Sequence, residues 1–576
     1  MMGVGNHSAI CYTPVMFIKL TTARGHQYVQ LVESYRNEEG KARQRTIATL
    51  GRLDDAGGQV DALLASLLRA KGRGTEVAGP QVAFESALTL GDVWALHGLW
   101  QEVGFDALAG VFRKARYTTA VEHAIRVMVF NRLCDPDSKL GVLRWLETVS
   151  LPEVDTKALT HQQLLRSMDA LMDHQDAVEA VVARQLKPMV DQDLSLVFYD
   201  LTTIRVEGQT ELSDDVRHYG MSKEGMVARQ FMLGVVQTAE GLPIYHEVFD
   251  GNQSETATLL PTIRKVLARY PHIRKLIIVA DRGLLSLDNL EELLALKLDE
   301  GQTLEFILAV PARRYGEFHD ILQRFNDTIT DPENETISET RWQDLRLVVA
   351  HNPQTAQHQT EWRRSKIEEL ENKADQWASK LDGQDSGKVS RGRRLSDSGA
   401  KARFYHEVKQ AHLAKIIKVD LTSDLFTYQI DEKALKQAEL VDGKLLLVTN
   451  AKEFTPKEVV ERYKSLADIE RGFKVLKSEI EIAPVFHRLP HRIKAHAMIC
   501  FMALILYRIM RHRLRLADTG LSPERALAQL RRIQRHQVKV NDQTVEGVST
   551  VSKEQSGVLS ALKLKKPSMP EQLTLL

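Results

Sequence analysis

The sequence predicts an α/β protein: a mixed sheet flanked by helices, with a β-rich insertion and an α-helical N-terminal region. Three observations predict it. Three β-favouring runs, LSLVFYDLTT from Leu194, RQFMLGVVQT and LPIYHEVFDG, follow one another with glycine and proline punctuation. Helix and strand then alternate through TATLLPTIRKVLARY, KLIIVADRG read as a fully buried strand ending in Asp281, SLDNLEELLAL and LEFILAV, the texture of an α/β layer. Last, a long amphipathic helix is predicted from Thr455, where Thr455, Pro456 and Glu458 read as N-cap, first helical residue and capping-box acid.

The chain of 576 residues has room for about three or four domains. Its hydrophobic content of 43% and charged content of 27% are those of an ordinary globular protein. A net charge of +1 excludes a global polyanion-binding balance, so any basic footprint is local. Cys11, Cys134 and Cys500 are too few and too far apart for a disulfide framework or a zinc cluster, which suits a reducing cytoplasm. The longest apolar run, near Met498 to Tyr507, is about ten residues, shorter than a bilayer span, so no membrane partner is expected. No secretory leader is read at the start. Met16 opens the first patterned segment, and residues 1–16 are read as a loose extension.

Residues 17–79 read as a small hairpin-bearing module, with alternation in HQYVQLVESYR and RQRTIATLGRL. Its Arg24, Arg36, Lys41, Arg43, Arg45 and Arg52 suit either phosphate contact or a solvated strand face. Residues 80–190 read as helical and as a possible DNA-binding region, with Asp135-Pro136-Asp137-Ser138 as a turn or helix start. The following SKLGVLRWLETV is a bundle helix or, as the second reading, a recognition helix. Residues 191–311 form the first part of the α/β core. Residues 312–444 read as an insertion domain, with antiparallel strands in RWQDLRLVVAHN and KIIKVDLTSDLFTYQI, a charged helix between them, and a basic loop in KVSRGRRLSDSGAKAR. Residues 445–516 complete the core with DGKLLLVTN, the Thr455 helix and a long helix HRIKAHAMICFMALILYRIMRHRLR. Residues 517–576 read as a tail, helical and then loose.

On the Thr455 helix, Tyr463, Leu466, Glu470, Phe473 and Lys477 recur at three- and four-residue spacing and share one stripe, which Val459 and Ile480 extend. Glu470 therefore sits within an inward face, and a carboxylate there needs a cation. Asp200 and Asp281 both end apolar strands, where sites form in open α/β sheets. Each acid alone reads equally as an N-cap or an ion-pair partner. Three acids converging on one place would need hard divalent cations with oxygen ligands, Mg²⁺ foremost.

The order YDLTT, GNQSETATLLPTI, VADRG, YKSLADIERGFKVLKS resembles the DDE transposases of bacterial insertion sequences. Within them it resembles the subgroup with a Tyr-Arg-Glu-Lys signature, on whose spacing Tyr463, Glu470 and Lys477 fall. HYGMSKEG, VDGKLLLVTN and RIKAHAMICFMALILYR add to the resemblance, which runs from about Leu194 to Arg515, with weaker echoes in GRLD and NRLCDPDSK. It implies a ribonuclease-H-like core with an insertion before the Glu-bearing helix, and Asp200, Asp281 and Glu470 as the catalytic, metal-binding triad. It also implies two Mg²⁺ ions (Mn²⁺ as substitute), DNA as partner (terminal inverted repeats and target), a homodimeric synaptic complex and a bacterial cytoplasmic, nucleoid-associated location. The implied reaction is water attack at a transposon end to free a 3′-hydroxyl, followed by attack of that hydroxyl on another phosphodiester.

One position departs from the signature: Leu466 stands where the arginine belongs, so Arg462 and Arg471 are candidate substitutes at the phosphates beside Tyr463, Lys474 and Lys477. From Lys452 to Arg535 basic residues outnumber acids about two to one, an excess suited to tracking phosphates. Arg508, Arg511, Arg513 and Arg515 are expected to form a DNA-facing helix end, as is the loop with Arg391, Arg393 and Arg394. His218, Tyr219 and Lys223, in a glycine-bracketed loop, are substrate-loop candidates. Trp342 and Trp362 read as core aromatics before base-stacking ones, and His487 and His496 as satisfied core residues. The function expected is therefore cut-and-paste transposition. The alternatives are a related metal nuclease without strand transfer, and a transposase-derived repressor without chemistry.

Overall fold

The computed structural model describes residues 15–568 apart from 24–25, 38–40, 53–61, 64–65, 69, 72–81, 190–194, 209–211, 213–214, 222–226, 272–274, 281–286, 296–302, 330, 332, 387–394 and 541–542. The chain divides into two compact units: Met1–Leu88 with Gln534–Ser549 and Ser568–Leu576, and Thr89–Ile533 with Thr550–Pro567.

In the smaller unit β1 (Val15–Ala23), β2 (His26–Arg36) and β3 (Ala42–Arg52) form an antiparallel meander with β2 in the middle. Val29 and Val32 of that middle strand are buried, while β1 and β3 are largely exposed. The arginines expected at phosphates are partly engaged within the sheet: Arg45 lies 2.6 Å from Glu33, and Arg52 lies 2.6 Å from His26. β4 (Val82–Thr89) pairs with a hairpin made by Gln534–Val540 and Gln543–Val548. Two expectations are corrected here. Residues 80–190 are not helical from the start, and the region after 517 is not a loose tail, since it carries this hairpin and a capped helix, Lys553–Ala561.

The larger unit opens with helices α1 (Gly91–Val103), α2 (Leu108–Lys114), α3 (Val121–Cys134), α4 (Lys139–Leu146), α5 (His161–Asp173) and α6 (Gln175–Leu186). Ser138 caps α4, its hydroxyl accepting from Gly141 N at 3.1 Å, so the Asp-Pro-Asp-Ser segment is a helix start. The strands follow: β5 (Ser195–Arg205), β6 (His218–Met221), β7 (Val227–Thr238), β8 (Pro243–Asp250), then α7 (Leu259–Arg269), β9 (Lys275–Ala280), α8 (Leu287–Ala295), β10 (Thr303–Ala309) and α9 (His319–Asn326). β11 (Thr336–Trp342), β12 (Leu345–His351), α10 (Pro353–Asp385), α11 (Asp397–Gln410), β13 (Ile417–Val419), β14 (Tyr428–Ile430), α12 (Glu432–Val441) and β15 (Lys444–Thr449) lead to α13 (Pro456–Lys464), α14 (Leu466–Ser478), α15 (Pro490–Leu516) and α16 (Pro523–Leu530).

The central sheet runs β11-β12-β15-β10-β9-β5-β7-β6, with β8 beside β6 on the far edge of β7. β5, β9 and β10 are mutually parallel and the outer pairs antiparallel, as a mixed sheet requires. Side chains alternate across it. Tyr199, Ile278 and Leu308 join a core on the face of Leu259, Ile263 and Leu322. Phe198, Val279 and Ile307 join a second core with Val459, Val460 and Leu466 from α13 and α14.

The insertion is smaller than the sequence suggested. β11 and β12 hydrogen-bond through β15 into the central sheet, so residues 312–351 belong to the core. What stands off the sheet is α10 to α12 with the β13-β14 pair, around a core of its own built on Ile367, Leu370, Phe404 and Ile417. Ser396 caps α11, which makes the end of the expected basic loop helical. Local pattern marks a strand but does not name its partner, which is why the boundary was misplaced.

α15 also departs from expectation. Its 27 residues are long and apolar enough to cross a bilayer, yet 94% of its most apolar window is buried inside the protein. It contacts α3, α5 and β8, so the N-terminal helices wrap a core helix.

Candidate active site

Asp200 lies on β5 and is 6% exposed. The pleat puts it on the face of Phe198, opposite Tyr199 and Leu201. Its Oδ1 accepts from Leu201 N at 2.7 Å, which fixes one edge of the carboxylate. Tyr199, the residue before it, pairs with Ala280, the residue before Asp281 in the sequence. Asp281 itself lies outside the described residues.

The helix bearing Glu470 covers this face. Leu466, at its first turn, is 4% exposed in the cluster with Phe198 and Val279. Six residues on, a Cβ at Gly472 would meet Arg508 Nη2 at 2.7 Å and Gln237 Nε2 at 3.0 Å. Gln237 is the cross-strand partner of Phe198, two residues from Asp200. The helix therefore comes closest to the sheet at Gly472, beside the Asp200 strand, and hydrogen in place of a side chain permits that approach. The side chains of Glu470 and Arg471 are outside those described.

Its start is built as the sequence predicts. Thr455 Oγ1 accepts from Glu458 N at 3.3 Å while Glu458 Oε2 accepts from Thr455 N at 2.8 Å. The expected single helix is interrupted at Ser465, whose hydroxyl donates to Arg462 O at 2.7 Å. That local bond competes with the helical ladder.

The expected phosphate contacts separate by environment. Tyr463 is half-buried against the Phe198 core and lines a cavity of about 850 Å³ with Lys464, His358 and Trp362. Lys477 is half-buried and Lys474 exposed. Arg462 stacks 4.3 Å over Phe454, so its planar face is used within the protein. Trp342 packs on Phe318 at 5.3 Å, as a core aromatic, but Trp362 is half exposed. His218 and Tyr219 lie on edge strand β6 rather than in a loop, with Tyr219 exposed, and Lys223 is outside the described residues. Arg391, Arg393 and Arg394 are also outside them.

The expected arginine-rich helix end is corrected. Arg508 is buried beside Gln237, between Gly472 and Gly241. Arg513 is paired with Glu102, whose carboxyl is held below its ordinary range by that bond. Arg511 and Arg515 remain exposed. Sequence reading passed over Gln237 altogether; the lone glycine in an otherwise uninterrupted helix was the signal for a close approach.

These features sit within a region of established kinship. Residues 191–506, just over half of the chain, match the family described as transposase DDE domain. The chain belongs to the DDE transposases. Residues 18–80, which hold the β1–β3 meander, match the N-terminal domain of IS1634 family transposases. The sheet just described is thus a ribonuclease-H-like core, and the protein is an insertion-sequence transposase acting on DNA. A cryo-EM structure of the piggyBac transposase synaptic complex with hairpin DNA aligns at TM-score 0.36 and 10% identity, covering 76% of this chain and 75% of that one. No curated protein matches the sequence.

DDE transposases use divalent metal ions. Among the described residues no three His, Cys, Asp or Glu side chains group together, Asp281 and the Glu470 side chain lying outside them. Asp200 fits such an ion in kind: a buried carboxylate offers hard oxygen donors where an uncompensated charge is costly.

Proposed function

We propose that this transposase performs cut-and-paste transposition, with Asp200, Asp281 and Glu470 as one catalytic triad at which DNA ends are hydrolysed and then joined to target DNA. The observation that supports it most is the seating of the Glu470 helix on the Asp200 face, brought close at Gly472. The register supports the second acid, because Ala280 pairs with Tyr199 and each is followed in sequence by one of the aspartates.

Two Mg²⁺ ions, with Mn²⁺ as substitute, would supply at this triad the electrostatic clamp on attacking and leaving oxygens that in-line phosphodiester displacement needs. The protein's part is positioning. Leu466 and Val459 anchor α14 and α13 in the core beneath, so the helix cannot slide when DNA arrives. Tyr463, Lys474, Lys477 and Arg471 orient phosphates along that helix, with Arg462 beside them, and Arg391, Arg393 and Arg394 add contacts from the insertion. His218 and Tyr219 approach the substrate from the β6 edge, with Lys223 as a further substrate contact. A homodimer pairs the two ends in synapsis.

The test is a duplex carrying the element's own end, incubated with Mg²⁺ and wild type or Asp281→Asn. Wild type is expected to nick and join the end, and the variant to do neither. A wild type that nicks but never joins marks a nuclease. A variant that cuts as well as wild type removes the triad.

A further inference from the structure

A second site lies at the junction of α3, α4 and α15, where a half-open cavity of about 840 Å³ sets Arg132, Lys139, Arg488 and Arg492 among largely apolar side chains. Lys139, first residue of α4, is 6% exposed and makes no hydrogen bond or ion pair with any described residue. Arg132, at the end of α3, is 5% exposed; its bonds go to the Glu481 and Asp137 carbonyls and the Asn131 amide oxygen, and its Nε has no partner. His496 donates from Nε2 to Ile482 O at 3.0 Å and leaves a buried Nδ1 without a partner. His487 and Arg488 come from the segment joining α14 to α15. The two carboxylates on the wall do not neutralise them. Asp137 is taken by Ser138 N at 2.5 Å and by Arg144 at 3.4 Å, and Glu481 is exposed. Arg492, also on the wall, is satisfied by Asp169 at 2.7 and 2.8 Å.

A buried ammonium with no counter-charge is costly, and so is a buried guanidinium left partly unbonded. The effect is visible on the neighbours. Burial, then Arg132, holds Lys139 down to about 7. Burial, then Lys139, Arg492 and Arg132, holds His487 down to about 3. An anion in the cavity offsets the positive charge gathered on Arg132, Lys139 and Arg488. At the rim, Phe486 is 70% exposed and Leu140 56% exposed, an apolar edge against which a base can stack.

We propose that this cavity is a phosphate-binding site, built on Arg132, Lys139 and Arg488, that holds a backbone phosphate of a DNA strand leading to the catalytic face. The wall joins that face directly. Val485 N donates to Arg205 O at 3.1 Å and Glu207 N to Val485 O at 2.9 Å, so the cavity wall continues β5. From Asp200 to Val206 the strand covers roughly 20 Å, or about six base-pair steps. The DNA strand as occupant rests on the DNA-cutting function, whereas the phosphate chemistry stands without it. The segment NRLCDPDSK, which the triad leaves unused, acquires a role: it supplies both buried cations.

The experiment uses the full chain in EDTA, so that no cleavage intervenes. Inorganic phosphate is titrated calorimetrically, and a labelled end duplex is titrated at several KCl concentrations, with wild type, Lys139→Met and Arg488→Gln. Lys139→Met is expected to weaken phosphate binding at least tenfold and to lower the salt slope of duplex binding by about one. Arg488→Gln, at the exposed rim, moves both the same way by less and decides the matter if Lys139→Met does not fold. Loss of inorganic phosphate binding with unchanged duplex slope identifies a free phosphate or nucleotide as the occupant. Unchanged binding of both probes in folded variants overturns the proposal. A failure of the triad is read separately, by Asp200→Asn in cleavage with Mg²⁺.

Discussion

Gly472 and Leu466 do the most, residue for residue, to hold the Glu470 helix over Asp200. A side chain at Gly472 would displace the buried Arg508 and Gln237, so Gly472→Val is expected to cost roughly 1–3 kcal/mol, read as a lower urea midpoint. The surroundings of Leu466 do not accommodate an arginine. The position is 4% exposed among Phe198, Val279 and Val460, so Leu466→Arg would bury a charge in an apolar cluster. Leu466→Arg is expected to destabilise the protein more than Leu466→Ala, itself about 2–5 kcal/mol, and not to raise activity. Thermal melts of the two variants rank them; an active, stable Leu466→Arg would show that the side chain escapes to DNA. The same residues show what the sequence could reveal. A three-four stripe located Leu466 inside, but nothing in the helix itself names Gln237 or Arg508, which lie hundreds of residues away in the chain or at a helix end that reads as solvated.

Among the elements, the start of α13 and the β7 edge carry separable contributions. The Thr455 capping box satisfies two backbone groups, so Thr455→Ala is expected to cost about 1 kcal/mol. At β7, Asp215 is bound by Arg217 at 2.6 Å and by Arg229 at 3.2 Å, all three side chains nearly buried. Burial pushes the Asp215 carboxyl up, but the arginines and the Arg217 amide more than offset it, leaving it below its ordinary value. A depressed native value gives stability that is present above the unfolded value of about 4 and is lost as pH falls through the native one. Asp215→Asn should therefore cost roughly 3–5 kcal/mol at neutral pH, by removing the carboxylate that two buried arginines share, and should flatten the acid limb of stability against pH. Urea melts from neutral pH down to the acid limb measure both. β12 was legible as a strand and α10 as a charged helix, because their periodicity is local, whereas most of β11, in TISETRW, went unread. Membership of the central sheet was not legible, because it depends on β15, some hundred residues later.

On the scale of the whole molecule, the core helix α15 ties together what the sequence separates. It runs from the cationic cavity at His496 to Arg508 beneath Gly472, and α3 and α5 wrap it. The cavity escaped sequence reading because its cations come from two stretches more than three hundred residues apart and each one, taken alone, reads as a solvated charge. The hairpin Gln534–Val548 escaped because QRHQVKV and QTVEGV are polar and only half-buried. The acids of the proposed triad were read from local patterns, strand ends and an inward stripe, whereas the convergence proposed for them rests on the sheet order, which local pattern does not carry.

The central claim is that Asp200, Asp281 and Glu470 hold divalent ions together, and Mn²⁺ binding followed by electron paramagnetic resonance on the full chain tests it most directly. The account predicts that wild type binds Mn²⁺ and that Asp200→Asn, Asp281→Asn and Glu470→Gln each abolish the same signal while remaining folded. Undiminished Mn²⁺ binding in any one of the three would contradict it.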